Sequence, residues 1–77
     1  MDTAATRELL GNALADIAPE ADLGAVGDGE DLRRALDLDS MDFLNVMVSL
    51  HEQTGVAIPE ADYPKLFTIA GIAAYLP

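Results

Sequence analysis

Cysteine is absent from this chain of 77 residues. Without it the chain has no disulfide framework, no thiolate metal site and no thiol chemistry of its own. If this protein uses a reactive sulfur, that sulfur must come from a cofactor. A chain this short is expected to form one small domain over residues 1–77, and domains of this size are marginally stable without such supports.

Basic residues are scarce. Four lysines and arginines stand against fourteen aspartates and glutamates, which leaves a net charge of −10. Phosphate backbones and anionic lipid surfaces would be repelled, so we do not expect nucleic-acid binding. Either the acids only provide solubility, or protein partners present basic patches to them. The apolar fraction of 51% is ample for a core and argues against disorder.

Long hydrophobic runs are also missing. No apolar stretch reaches the length that spans a bilayer. The first residues, Met1-Asp2-Thr3, do not have the basic and apolar segments of a secretion signal. We therefore expect a soluble cytoplasmic protein, a monomer, without stable membrane insertion.

Three segments carry apolar residues at helical spacing. The first is capped by Asp2 or Thr3 and ends before Pro19. The second begins at Ser40 and ends at Gly55, because glycine favours the position just past a helix. The third begins after Thr68, which acts as its cap. The apolar positions are Leu10, Ala13, Leu14 and Ile17 in the first segment, Phe43, Leu44, Val46, Met47, Val48 and Leu50 in the second, and Ile69, Ile72, Ala73 and Leu76 in the third.

The connection between the first and second helices, residues 19–39, is long for a compact domain. A short loop suffices between antiparallel helices, so this length favours two helices that run nearly parallel. Leucines hold the connection to the core, and residues 32–36 predict one helical turn within it. Pro59 begins another short turn. No segment alternates as a strand does. The predicted fold is all-α, a small bundle of three main helices plus one short helix.

Ser40 stands where the second helix begins, between Asp39 and the pair Met41-Asp42. Serine is a preferred N-cap, so its hydroxyl has a purely structural interpretation. A helix N-terminus also offers free N–H groups and a partial positive charge that accept a phosphate. An exposed hydroxyl there is suited to carry a group through a phosphodiester. The residues alone leave both interpretations open.

The wider pattern around Ser40 resembles the acyl carrier protein family. That family has a leucine, a short spacer and Asp-Ser-Leu at the start of the second helix, followed later by an Ile-Pro pair. The resemblance extends over essentially the whole chain, including its acidity and its long first loop. The residues that carry it are Asp31-Leu32, Leu36-Asp37-Leu38-Asp39-Ser40-Met41-Asp42, Leu44, and Gly55-Val56-Ala57-Ile58-Pro59.

The resemblance implies a function. The matched serine, Ser40, would be esterified with 4′-phosphopantetheine from coenzyme A by a phosphopantetheinyl transferase. The terminal thiol of this arm would carry acyl groups as thioesters and present them to acyl-transferring and acyl-modifying enzymes with basic patches. Fatty-acid synthesis and specialised lipid or polyketide synthesis are the processes implied. The alternative is a non-enzymatic helical interaction domain in which Ser40 is only a helix cap.

The chain departs from the family in three ways. Asp37 stands where the family has a glycine, and Met41 stands in place of a leucine. The second helix has few acids, since only Asp42 and Glu52 are acidic on its polar face. Electrostatic steering of partners is therefore expected to be weaker than in carriers for general fatty-acid synthesis. These departures indicate a specialised member with a restricted set of partners.

The resemblance also implies residues for two surfaces. Phe43 and Tyr63 are bulky, so a pocket for the acyl chain is expected to be narrow or closed when unloaded; ordinary core packing is the alternative. Met41 and Val48 either form an apolar patch that partners cover or lie beneath the long loop. The expected partner contacts are Asp39, Met41, Asp42, Asn45, Val48 and Glu52, and the expected pocket residues are Leu32, Phe43, Leu50, Tyr63 and Leu66.

The remaining polar residues carry no catalytic pattern. Arg33 and Arg34 either pair locally with Asp37 or Glu30 or select an acidic partner. The lone histidine, His51, is expected to be a packed or boundary residue. The acids of the long connection do not have the spacing of an EF-hand loop, so no dedicated metal site is expected. No base accompanies a nucleophile and no glycine-rich phosphate loop is present, which argues against an enzyme.

Overall fold

The computed structural model describes residues 1–77, and every regular element in it is helical. This confirms the predicted all-α bundle of three main helices plus one short helix, and two 3₁₀ segments are present in addition. None of the helices has the length and apolarity needed to cross a membrane. The elements are α1 (Thr3–Ile17), a 3₁₀ turn (Leu23–Ala25), α2 (Leu32–Ala35), α3 (Ser40–Thr54), a 3₁₀ helix (Glu60–Leu66) and α4 (Ile69–Tyr75).

The main helices begin and end where local side-chain chemistry requires. The Asp2 carboxylate accepts a hydrogen bond from the Ala5 N–H at 2.7 Å and caps α1. The Thr68 hydroxyl oxygen accepts from the Gly71 N–H at 2.9 Å and caps α4. Gly55 ends α3 with φ of 75°, a left-handed conformation that glycine adopts at no steric cost. These three predictions are confirmed.

Helices α1 and α3 run antiparallel, which corrects the expectation of a parallel pair. In the middle of α1, the Leu9 carbonyl accepts from the amide of Gln53, a residue at the end of α3, at 3.0 Å. Further along, Ile17 at the end of α1 lines one shallow cleft with Val48, which stands earlier in α3. The long connection therefore leaves and rejoins the bundle at the same end. The extra residues of the connection place α2 beside the start of α4. They do not make α3 run parallel to α1.

The long connection is held at several points. Val26, Leu32 and Leu38 are buried in the core. The Leu32 N–H donates to the Phe67 carbonyl at 2.8 Å, so the start of α2 is tied to the turn before α4. The Arg7 guanidinium of α1 donates to the Val26 carbonyl at 2.7 Å. Residues 19–39 are thus attached to the core and to α1, and they belong to the packed fold.

The 3₁₀ helix Glu60–Leu66 is longer than the predicted turn at Pro59. It spans seven residues and contains Pro64, although 3₁₀ segments rarely exceed three or four residues. The Tyr75 hydroxyl of α4 donates to the Asp62 carboxylate at 2.7 Å and holds the segment from outside. Leu66 is fully buried and holds it from inside. Tertiary contacts therefore stabilise a length that local preference does not favour.

Candidate functional site

Asp39, rather than Ser40, caps α3. The Asp39 carboxylate accepts from the Asp42 N–H at 2.8 Å, and the Asp42 carboxylate accepts from the Asp39 N–H at 3.3 Å. This reciprocal capping box satisfies two backbone donors at once. The interpretation of Ser40 as the helix cap is therefore wrong, because its neighbour is an equally good cap and stands one position earlier. Ser40 occupies the first helical position.

The Ser40 hydroxyl is exposed and makes no hydrogen bond within the protein. It lies between two open clefts. Arg33 and Arg34 line one of them, which has a volume of about 350 Å³. Phe43 and Tyr63 line the other, of about 450 Å³, between α3 and the Glu60–Leu66 helix. A group attached to this oxygen therefore has room on both sides.

The turn from α2 into α3 depends on Asp37. Its φ of 53° makes it the non-glycine residue of the chain with a positive φ. Aspartate tolerates this left-handed region better than most residues, since its short side chain bonds locally. Asp37 stands at the position where the carrier family has glycine, so the departure keeps the backbone conformation that a glycine would adopt. That correspondence was the available signal for this turn, and the sequence reasoning did not use it.

An aromatic cluster forms the floor of the cleft between α3 and the Glu60–Leu66 helix. The Phe43 ring packs edge-on against Tyr63, with ring centroids 5.7 Å apart, and against Phe67, with centroids 5.4 Å apart. The Arg33 guanidinium carbon lies 3.4 Å from the centroid of the Phe67 ring. This is a close cation–π contact. Phe43 and Tyr63 were predicted from the sequence to line a pocket, whereas Phe67 was not.

The predicted acyl-pocket residues fall into two groups. Phe43 and Tyr63 line the open cleft beside Ser40. The other three lie in the core with no more than 2% of their surface exposed, and none of them lines a cleft. The interior behind the aromatic cluster is closed, and a pocket that joins the two groups stays a prediction. The three core residues are Leu32, Leu50 and Leu66.

Arg33 pairs with Asp31, which corrects the expected pairing with Asp37 or Glu30. Two guanidinium nitrogens, Nε and Nη2, donate to the two Asp31 carboxylate oxygens at 3.1 and 2.7 Å. These hydrogen bonds lower the pKa of the Asp31 carboxyl to about 2. The same carboxylate accepts the Arg33 N–H at 2.9 Å and caps α2. The geometry was not evident from sequence because residues two apart in a helix do not ordinarily face each other.

One side of α3 exposes large apolar side chains. Met41 is 62% exposed, Leu44 37% and Val48 42%. We call these three residues the outer stripe. The long connection does not cover them, so the alternative that Met41 and Val48 lie beneath it is excluded, and their contact with partners stays a prediction. Leu44 was missed, although its spacing from Met41 and Val48 places all three on one helical face.

The polar residues expected to contact partners border this stripe. Three of them are exposed, and Asp42 is half-buried in its capping role. The exposed three are Asp39, Asn45 and Glu52. His51 is also exposed, and its Nδ1 lies 2.8 Å from the Val56 carbonyl oxygen. It is thus a residue at the helix end rather than a packed one.

The sequence was also compared with known families and proteins. The family described as "Phosphopantetheine attachment site" matches residues 3–76. No individual curated protein matches the chain significantly. The family match spans all the helices and includes Ser40. The protein therefore belongs to the phosphopantetheine-attachment family of acyl-carrier-type proteins, which carry a 4′-phosphopantetheine group and do not themselves catalyse a reaction.

Proposed function

We propose that Ser40 bears the 4′-phosphopantetheine arm and that the chain carries acyl groups for fatty-acid or specialised lipid and polyketide synthesis. One observation carries the choice of residue: the Ser40 hydroxyl is exposed, unbonded and placed at the start of α3 between two clefts. The other serine of the chain, Ser49, is half-buried in the middle of α3 and accepts a hydrogen bond from Gln53 at 3.1 Å. Ser49 is therefore unsuited to the role.

The surroundings of Ser40 fit a phosphodiester. Ser40 is the first residue of a fifteen-residue helix, where unpaired N–H groups and the helix dipole favour an anion. The Asp39 and Asp42 carboxylates, which would repel a phosphate, already accept backbone hydrogen bonds in the capping box. Arg33 and Arg34 line the adjacent cleft and offset part of that repulsion. When bound, the arm supplies the thiol that this cysteine-free chain lacks.

We propose that partner proteins dock on the outer stripe and its polar border. These partners are the phosphopantetheinyl transferase that attaches the arm and the enzymes that load or modify the acyl group. Exposed apolar residues rimmed by polar ones are typical of protein interaction sites. The border contributes the acids Asp39 and Glu52, which favour a partner surface with basic residues. The protein itself acts as a monomer in this proposal.

The few acids along α3 support a specialised carrier. Asn45 and Ser49 stand on its polar face between Asp42 and Glu52. Fewer charges give weaker long-range steering, so recognition depends more on the apolar contact of the outer stripe. Such a surface favours a restricted set of partners.

Attachment at Ser40 can be tested by intact-protein mass spectrometry. The wild-type chain is incubated with coenzyme A and a phosphopantetheinyl transferase of broad specificity, alongside Ser40→Ala and Ser49→Ala. We expect wild type and Ser49→Ala to gain the mass of one phosphopantetheinyl group and Ser40→Ala to gain none. Circular dichroism confirms that all three are folded. The proposal fails if wild type stays unmodified or if Ser40→Ala is still loaded.

A further inference from the structure

The charge of Arg33 beside Ser40 does not by itself explain where its guanidinium is held. It is one of four basic residues in a chain with fourteen acids. Its guanidinium stands over the face of Phe67 and is held there by two hydrogen bonds to Asp31. Less than half of its side chain, 42%, is exposed. A bidentate carboxylate contact orients the plane of a guanidinium, so the ion pair with Asp31 favours this stacking.

The aromatic cluster separates the cleft beside Ser40 from the core. Phe43 contacts both Tyr63 and Phe67, so the three rings form a continuous wall. Leu50 and Leu66, behind the wall, are fully buried. The three rings line the cleft beside Ser40, so an acyl chain that lies in this cleft has the rings between itself and these leucines.

Phe67 is the ring whose movement Arg33 controls. Its carbonyl accepts the Leu32 N–H at 2.8 Å, which ties its backbone to the start of α2. A rotation of its side chain away from the cluster breaks the contact with the guanidinium carbon, which lies 3.4 Å from the ring centroid. Opening the wall on this side therefore requires Arg33 to leave Phe67.

We propose that Arg33, anchored by Asp31 against Phe67, is a latch that sets the shortest acyl chain able to enter the interior. The free energy needed to open the latch is the same for every chain, whereas the gain from burial grows with each methylene. Short acyl groups therefore remain in the open cleft beside Ser40, and only longer ones enter the core. This inference rests on the proposed attachment at Ser40, and it assigns Arg33 as a residue that determines cargo specificity.

The test measures where the acyl chain lies as its length increases. A transferase loads wild type, Arg33→Ala and Arg34→Ala with acyl-coenzyme A of each length from acetyl to palmitoyl. Mass spectrometry first confirms the loading of every sample. Methyl NMR then follows Leu50 and Leu66, whose shifts move when a chain enters the core. Arg34→Ala removes the same charge from a residue without a Phe67 contact and is the matched control.

In wild type we expect the methyl shifts to stay unchanged up to a threshold length and to move beyond it. In Arg33→Ala the threshold falls by about one to two methylenes, which is the length equivalent of a lost cation–π contact. Arg34→Ala keeps the wild-type threshold. Asp31→Asn retains a capping side chain for α2 but releases the guanidinium. It should lower the threshold length, as Arg33→Ala does. This variant carries the test if Arg33→Ala does not fold.

Three results would decide against the latch. An equal threshold in wild type and in both latch variants would show that Arg33 does not control entry. Methyl shifts that stay constant at every length in all proteins would show that no chain enters. Shifts that move even with acetyl in wild type would show that the interior is already open. A failure of wild type to load at all would instead overturn the proposed function, and the mass spectra separate that outcome from the others.

Discussion

The two apolar sides of α3 have similar side chains and opposite surroundings. The inner side is buried against the other helices, and the outer stripe is exposed. Both sides repeat at helical spacing, so periodicity identifies the helix without telling which side is covered. The comparison shows that one helix serves stability with one side and leaves the other available for recognition. The inner residues are Phe43, Val46, Met47 and Leu50, and the outer ones are Met41, Leu44 and Val48.

The same truncation on each side should have very different effects on stability. Leu50→Ala removes fully buried methyl groups, and we expect it to lower the free energy of unfolding by about 2–5 kcal/mol. Leu44→Ala, in the same helix, should cost about 1 kcal/mol, because the residue is already 37% exposed and its removal opens no cavity in the core. Urea unfolding followed by circular dichroism measures both. Equal losses would contradict the assignment of the two sides.

Truncations in the outer stripe should weaken loading by the transferase, although they cost little stability. We expect Met41→Ala and Leu44→Ala to lower kcat/KM for loading by the transferase by about tenfold, the effect of losing roughly 1.4 kcal/mol of apolar contact at the interface. Thermal unfolding should change little in either variant. Ala15→Ser, an exposed position on α1, is the control and should load normally. Normal loading of both outer-stripe variants would place the docking surface elsewhere.

The smallest expected effect on stability comes from the ion pair of Arg33 and Asp31, at the edge of the inner side where Arg33 covers Phe67. Since the Arg33 hydrogen bonds lower the pKa of Asp31 to about 2, the ion pair stabilises the fold fully above the unfolded pKa of about 4. That contribution is lost as the pH falls through about 2. In Arg33→Ala the Asp31 midpoint should rise towards its ordinary value. Carbon NMR of the Asp31 carboxyl measures the titration midpoint in both proteins. The same midpoint in wild type and Arg33→Ala would show that Arg33 does not lower the pKa of Asp31.

Features governed by neighbours in the chain were predicted well. The caps at Asp2 and Thr68, the left-handed Gly55 and the helical turn at residues 32–36 are all confirmed. Each depends on a side chain that bonds to a backbone group a few residues away, or on a steric preference of a single residue. The pattern around Ser40 was likewise visible, because it is contiguous.

Other features could not be predicted because competing candidates were equivalent in sequence. Asp39 and Ser40 are both good caps, and only the capping box with Asp42 decided between them. The length of the long connection was compatible with either helix direction. Several acids stood near Arg33, and the approach of Phe67, more than thirty residues away, helped to determine how the guanidinium is placed.

The sequence by itself determined that this chain is helical, where its main helices lie and that Ser40 stands at the start of one of them. These properties follow from hydrophobic periodicity and from short-range hydrogen bonds, which need no distant partner. Tertiary structure decided that α1 and α3 are antiparallel, that the outer stripe faces solvent and that three rings and Arg33 close the core beside Ser40. These depend on which surfaces meet, and that is settled only when residues far apart in the chain compete to bury the same apolar area.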